Sequence, residues 1–347
     1  MIRSERFVRV SIVVRERALL AHANKPSAPM KLVMTGGGGF IGGTVLDRLF
    51  AHDGNLAGEP VISPDVRVLA SSTAAMARLR ATFPRADVRA LFRPDGSVEE
   101  TAFHDRDVFL HCGWSTVPST AEADPVADLR SNVEGGLRMI EAAVKGGVRR
   151  IIFLSSGGTV YGEPERTPIT EGHPTRPTSA YGIGKLGFER YLGSIAAHHG
   201  LEHLILRPSN VYGRRVVNEK PQGVVEHWMF GALHGTPVEA WNDLSMTRDY
   251  LFVEDLVDVI VRSFDMVLSH SVVNVGTGRG TSLAELAAMI EVVSGHRLRI
   301  DVRPSPVKAI STNVLDTSRQ IAMFGAGPRT ALEEGLRIVH DRIRAAG

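Results

Sequence analysis

A short apolar run, Lys31-Leu32-Val33-Met34, ends directly in Thr35-Gly36-Gly37-Gly38-Gly39-Phe40-Ile41-Gly42, and a helical stretch, Val45-Leu46-Asp47-Arg48-Leu49, follows. No other feature of the chain limits its fold so strongly. Glycine permits a tight turn and a close backbone approach to a pyrophosphate, while a helix start offers free N–H groups and the positive end of its dipole. In this strand–turn–helix setting the segment reads as a dinucleotide-binding turn built on Gly36, Gly39, Phe40, Ile41 and Gly42. No Lys-Ser or Lys-Thr follows the glycines, which disfavours a nucleotide-hydrolysing P-loop.

Similar apolar runs recur at Val66–Ala70, Asp107–His111, Arg150–Leu154, Leu204–Leu206 and Val272–Val275. Helical stretches lie between several of them; Val133, Leu137, Ile140 and Val144 keep helical spacing before Gly146-Gly147, which can end that helix. Strands alternating with helices predict an α/β protein, a doubly wound parallel sheet (Rossmann fold) covered on both faces. At roughly 150 residues per domain, 347 residues make about two units. Residues 1–29, punctuated by Arg3, Arg6, Arg9, Arg15 and Arg17, read as a poorly ordered leader before Met30. Residues 30–212 are expected to form the dinucleotide-binding domain. Residues 213–347 are expected to be mainly a smaller substrate-binding lid, with 248–278 returning to the sheet.

Composition narrows the function. A formal net charge of +2 argues against nucleic acid as a partner, and the single cysteine, Cys112, excludes an intrachain disulfide framework. The histidines show no metal-binding spacing near carboxylates, and no apolar run approaches the roughly 18 residues of a membrane span. A cytoplasmic protein with no metal and no membrane partner is expected.

Ser179-Ala180-Tyr181-Gly182-Ile183-Gly184-Lys185 opens a second decisive helix, running to about His198 before Gly200. Tyr181 and Lys185, four apart, share one helical face. An ammonium and an oxidised nicotinamide beside a phenol both favour the phenolate, which can then take a proton from an alcohol while hydride leaves the carbon. Gly182 and Gly184 each cost about 1 kcal/mol of helix propensity, which suggests that something approaches the helix closely there. The second strand ends in Leu69-Ala70-Ser71-Ser72-Thr73 with no carboxylate for a ribose 2′-hydroxyl, and Arg78 and Arg80 follow. The cofactor is therefore NAD or NADP, with the missing acid leaning toward NADP.

Together these segments resemble the extended short-chain dehydrogenase/reductase family, in the branch of NAD-dependent nucleotide-sugar epimerases and dehydratases, from about Met30 to the C-terminus. Leu154-Ser155-Ser156-Gly157-Gly158-Thr159-Val160-Tyr161-Gly162, Arg207-Pro208-Ser209-Asn210-Val211-Tyr212-Gly213 and Thr247-Arg248-Asp249-Tyr250 fit the same pattern. The resemblance implies cofactor contacts from Ser71, Cys112, Gly113, Trp114, Asn132, Tyr181, Lys185 and Pro208, and substrate contacts from Asn210, Val224 and Arg248. It implies a homodimer through the helices at 132–145 and 181–198, and a nucleotide-sugar or other small carbonyl or alcohol substrate. The expected reaction is hydride abstraction and return at a sugar carbon, C4 by expectation. An NADPH-dependent reductase of a keto sugar and a non-catalytic dinucleotide-binding regulator are the alternatives.

Three departures stand out. The family's Ser/Thr position, four before the tyrosine of Val-Tyr-Gly, is Gly157; strand alternation puts Thr159 on the same face and makes it the substitute, with Ser156 second if the strand end kinks. The acidic pair of the dehydratases is replaced by Gly158 and Thr159. The late Arg and Asp that clamp nucleotide fall at Pro306 and Ala309, leaving Arg303, Lys308 and above all Arg248 for a diphosphate.

Overall fold

The computed structural model describes residues 30–50, 65–214, 223–304, 310–325 and 327–346; the expected leader and positions 306, 308 and 309 lie outside them. Seven parallel strands make the central sheet: β1 (Lys31–Thr35), β2 (Asp65–Ala70), β3 (Asp87–Ala90), β4 (Val108–His111), β5 (Arg150–Leu154), β6 (Glu202–Pro208) and β7 (Val272–Val275). Their order is β7-β6-β5-β4-β1-β2-β3. The winding reverses between β1 and β4, and that switch opens a crevice at the carboxyl ends of the strands.

The apolar runs follow from double-sided cover. β4 and β5 are buried at every residue, as expected of parallel strands with helices on both faces. Along β1 the side chains alternate. Leu32 and Met34 join the core beneath α1 (Phe40–Phe50), α2 (Thr73–Thr82) and α6 (Val253–Arg262), whereas Val33 joins the core beneath α3 (Gly135–Lys145) and α4 (Ala180–His199). β3 shows no run in the sequence because it is an edge strand in which Val88 alone is buried.

Two helices differ from expectation in informative ways. The helix expected from Asn132 begins earlier: a short helix at Pro125–Asp128 passes through a π-helical stretch, Leu129–Glu134, into α3. Such π-turns occur often at functional sites; Asn132 within this one is buried, as is Asp128 just before it. α4 starts at Ser179, whose hydroxyl caps the amide of Gly182 at 3.1 Å, and stops at Gly200 with φ +65°.

A second core begins where β6 leaves the sheet. The strand Asn210–Tyr212 pairs in parallel with Tyr250–Phe252. Helix α5 (Val224–His234) packs Trp228 and Met229 with Val238, Leu286, Ile290 and Val339. β7 lies between the two segments of this second core in sequence and pairs with β6. Among the described residues no helix is long and apolar enough to cross a membrane.

Candidate active site

The glycine turn joins the ends of β1 and β4 backbone to backbone. Gly36 has φ +76°, and a Cβ there would lie 2.6 Å from the amide nitrogen of Gly113. The Gly39 amide donates to the Gly36 carbonyl at 2.9 Å, and a Cβ on Gly42 would collide with that same carbonyl. Thr35 locks the junction: its hydroxyl accepts from the Gly113 amide at 3.2 Å and shares a hydrogen bond with His111 Nδ1 at 2.8 Å. This bare backbone at the start of α1 fits the pyrophosphate of a dinucleotide. Phe40 and Ile41 are half-buried at the first turn, and the Arg214 guanidinium lies 4.5 Å over the Phe40 ring.

Ser71 is exposed at the end of β2, and no acid stands beside it in the sequence. Ser72 is used as the cap of α2. Of the two arginines, Arg80 is turned away, donating to the Val88 carbonyl at 3.0 Å. Arg78 lines a cavity of about 620 Å³ shared with Gly37, Gly38 and Gly39.

Tyr181 and Lys185 meet one aromatic wall. The Lys185 ammonium is 4.0 Å from the Trp114 ring centre, 4.8 Å from Phe153 and 5.6 Å from Tyr181, and it donates to the Leu154 carbonyl at 2.7 Å. The Tyr181 ring stands edge-on to Trp114 at 6.2 Å. Burial pushes Lys185 down to about 7, opposed by Cys112, Glu189 and Asp128. Burial also pushes the Tyr181 phenol up, and Asp128 pushes it further. The expected activation of the phenol by Lys185 is therefore outweighed by desolvation in the protein alone. Cys112 is half-buried beside the lysine with its thiol pushed up to about 12 by desolvation, so it is an inert wall.

The hydroxyl partner needs a correction to its premise. β5 ends at Leu154, and the Thr159 and Val160 amides both turn back to the Ser156 carbonyl, at 3.3 and 3.2 Å. Strand alternation therefore does not reach Thr159, whose Oγ1 is buried without a partner among the described residues. Gly157 has no room for a side chain, because a Cβ would lie 2.6 Å from Leu315 Cδ1 and 2.9 Å from the Arg207 carbonyl. Ser155 is taken by Glu189. Ser156 is half-exposed; its Oγ and Asn210 Oδ1 flank the face of Gly158, 3.8 and 3.6 Å from the site of a Cβ there.

Asn132 sits at the crevice wall, but its amide is full. Oδ1 accepts from the Ser115 amide and hydroxyl, and Nδ2 donates to Thr116 and Asp128. It orders the loop after β4 and has no hydrogen-bonding capacity left for a cofactor. Pro208 ends β6, and its carbonyl accepts from Gly157 at 2.8 Å.

Asn210, Val224 and Arg248 come together on a cavity of about 480 Å³, joined there by His227, Trp241 and Tyr250. Arg248 makes no ion pair among the described residues. Its guanidinium donates to the Thr247, Ile310 and Ser311 carbonyls, and burial lowers its proton affinity. Asp249 instead receives Thr277 and Gly278, and Asp255 receives the Arg329 and Thr330 amides. The Tyr250 hydroxyl in this wall is buried without a partner among the described residues, as a polar ligand would require.

Sequence reasoning missed a fully buried ion pair, Glu189–Arg207 at 2.5 Å, which also holds Ser155 and Tyr161 and so ties α4 to the ends of β5 and β6. Its one sequence signal is an acid four residues after Lys185 on the same helical face.

Residues 32–276 match the NAD dependent epimerase/dehydratase family. A UDP-glucose 4-epimerase of Mycolicibacterium smegmatis is 33% identical over 313 residues, covering 88% of this chain and 96% of its own length. The solved Thermus thermophilus UDP-glucose 4-epimerase complex with NAD is 28% identical with a TM-score of 0.80, over 92% of this chain and 100% of that one. The Thermotoga maritima UDP-glucose 4-epimerase with UDP-glucose superimposes with a TM-score of 0.79 at 28% identity, over 91% and 99%. With its glycine turn, its Tyr181–Lys185 pair and a family match across the whole central sheet, the chain belongs to the NAD-dependent epimerase/dehydratase family.

Proposed function

We propose that the chain is a nucleotide-sugar 4-epimerase working through bound NAD, in the cytoplasm and as a homodimer. One observation carries the reading: a Tyr–Lys pair lies beside a dinucleotide turn, and a separate cavity is lined by Asn210, just past the end of β6, and by Arg248, which makes no ion pair among the described residues. Its relatives in Mycolicibacterium, Thermus and Thermotoga are named UDP-glucose 4-epimerases, which favours a UDP-sugar and C4. When bound, the nicotinamide supplies a positively charged ring that takes up hydride from the sugar carbon and gives it back. Gly36, Gly39 and Gly42 would hold the pyrophosphate. Tyr181 removes the proton from the sugar hydroxyl and later returns it; Lys185 favours its phenolate. Arg248, whose Nη groups are held by the Thr247, Ile310 and Ser311 carbonyls, offers its fixed positive charge to the diphosphate, and Asn210 offers its amide to phosphate or sugar.

The decisive experiment incubates the purified chain with UDP-galactose and detects UDP-glucose, with no net change in cofactor. Conversion supports the reading; no conversion of any UDP-hexose overturns it. The exposed, acid-free end of β2 at Ser71 favours a second reading, an NADPH-dependent keto-sugar reductase, which stoichiometric NADPH consumption would reveal.

Ser156 takes the part of the hydroxyl that donates to the reacting oxygen, because it is half-exposed and its Oγ shares the face of Gly158 with Asn210 Oδ1, whereas Thr159 Oγ1 is buried. Ser156→Ala should lower kcat roughly 10- to 100-fold. Thr159→Val should lower it less than threefold, about 0.6 kcal/mol of barrier. Steady-state rates of the two variants check the order; the reverse order returns the role to Thr159.

Dimerisation has its own support. Val126, Leu129, Ile183 and Tyr191 are each more than half exposed on the helices at 125–134 and 180–199. Light scattering of the parent should give twice the chain mass, and Ile183→Glu should give the monomer; a parent already monomeric would sink this arm.

A further inference from the structure

A carboxylate absent from every expectation stands against the Tyr181–Lys185 pair. Asp128 is 3% exposed. Its Oδ1 accepts from the Thr116 hydroxyl and from Asn132 Nδ2, the latter at 2.9 Å. Its Oδ2 faces α4 at Gly184: a Cβ there would lie 3.2 Å from that oxygen and 3.4 Å from Trp114 Cζ2. A glycine inside a helix costs about 1 kcal/mol. Here the bare backbone between Tyr181 and Lys185 is what admits the carboxylate and the indole.

The surrounding charges leave Asp128 a distinct place. Its two donors are neutral, and it forms no ion pair among the described residues. Glu189, on α4 itself, is matched by Arg207 at 2.5 Å. From the β4 side, His111 is pushed down to about 3 by burial and by Lys185, and the Cys112 thiol is pushed up to about 12, so both are uncharged near neutrality. Glu122 accepts from the Ala180 amide at the start of α4.

We propose that Asp128 is a positioning residue whose carboxylate, admitted at Gly184, is the counter-charge that keeps buried Lys185 an ammonium and fixes the pH range in which the Tyr181–Lys185 pair works. The assignment rests on the catalytic reading of that pair. Burial drives Lys185 toward the free amine, opposed by Cys112, Glu189 and Asp128; with Cys112 uncharged near neutrality and Glu189 matched by Arg207, Asp128 is the carboxylate left to Lys185. The same negative charge disfavours the Tyr181 phenolate. Removing it therefore moves both groups in one direction, to lower pH.

The test uses the full chain with lysines labelled at Cε and read by NMR, Lys185 being identified by the signal lost in Lys185→Met. Asp128→Asn keeps an acceptor for Thr116 and Asn132. Its Lys185 should titrate about one pH unit lower than in the parent. In the same variant both limbs of the kcat/KM profile for the UDP-sugar should move to lower pH. A residue that only supports the fold would reduce the rate and leave the Lys185 titration and both limbs where they are. Asp128→Ser, neutral and smaller, serves if the amide does not fold. An unmoved Lys185 titration in either folded variant overturns the proposal. A shifted titration in a protein that converts no UDP-hexose upholds Asp128 and rejects the sugar reading instead.

Discussion

Tyr181→Phe abolishes turnover, with a loss of roughly 1,000- to 10,000-fold in kcat, while NAD affinity stays within a few fold of the parent. The asymmetry follows from what the substitution removes. Phenylalanine keeps the ring that stands edge-on to Trp114 at 6.2 Å, and the Lys185 contacts to Trp114, Phe153 and Leu154 do not involve the phenol oxygen. The wall of the crevice and the glycine turn are therefore untouched, and the melting temperature should hold. Only the phenol oxygen is gone; the Cys112 thiol is pushed up to about 12 and His111 is pushed down to about 3, so neither takes over its part near neutrality. Cofactor titration by fluorescence and steady-state rates measure the two arms. A variant that retains a tenth of the parent rate would remove Tyr181 from the chemistry.

How far the site was legible in the sequence depended on how local its determinants are. β1, β4 and β5 could be read because strands covered on both faces are continuous apolar runs. The Tyr181–Lys185 pair could be read because both residues lie on one helix, where spacing fixes the shared face. Asn210, Val224 and Arg248 lie on three separate elements, and only family resemblance united them before the cavity did. Thr159 was given its part by an alternation that presumes an extended strand, and the turn at Ser156 ends that premise. Asp128 lies in a stretch, Asp124 to Ser131, whose mixture of polar and apolar residues follows no clear period. It is buried where the short helix at 125–128 meets the π-helical stretch, a junction with no signature in residue spacing. The helix glycines were the exception: the cost at Gly184 announced a close neighbour, although not which one.

That cost and the burial of Lys185 belong to one exchange of stability for reactivity, which a single substitution separates. Lys185→Met should lower kcat roughly 100- to 1,000-fold and yet raise the melting temperature at pH 7 by a few degrees, about 2–5 °C. Methionine fits the aromatic surroundings of Trp114 and Phe153 and needs no hydration. The lysine does: burial lowers it from 10.5 to about 7, so folding at neutral pH works against a proton the unfolded chain holds freely. The hydrogen bond to Leu154 and the cation–π contacts offset part of that cost, which limits the gain. The sign with pH is fixed. Below about 7 the native and unfolded states both hold the proton, so the full cost of the buried charge is present and does not change with pH. Between about 7 and 10.5 the unfolded chain binds the proton and the native state does not, so parental stability from this group rises with pH and the advantage of methionine shrinks. Calorimetry of both proteins across that window measures it. A methionine variant less stable than the parent at pH 7, with its deficit constant in pH, would mean that Lys185 is held by the fold as a structural cation, and the activity loss would then report damage to the site and not the removal of its charge.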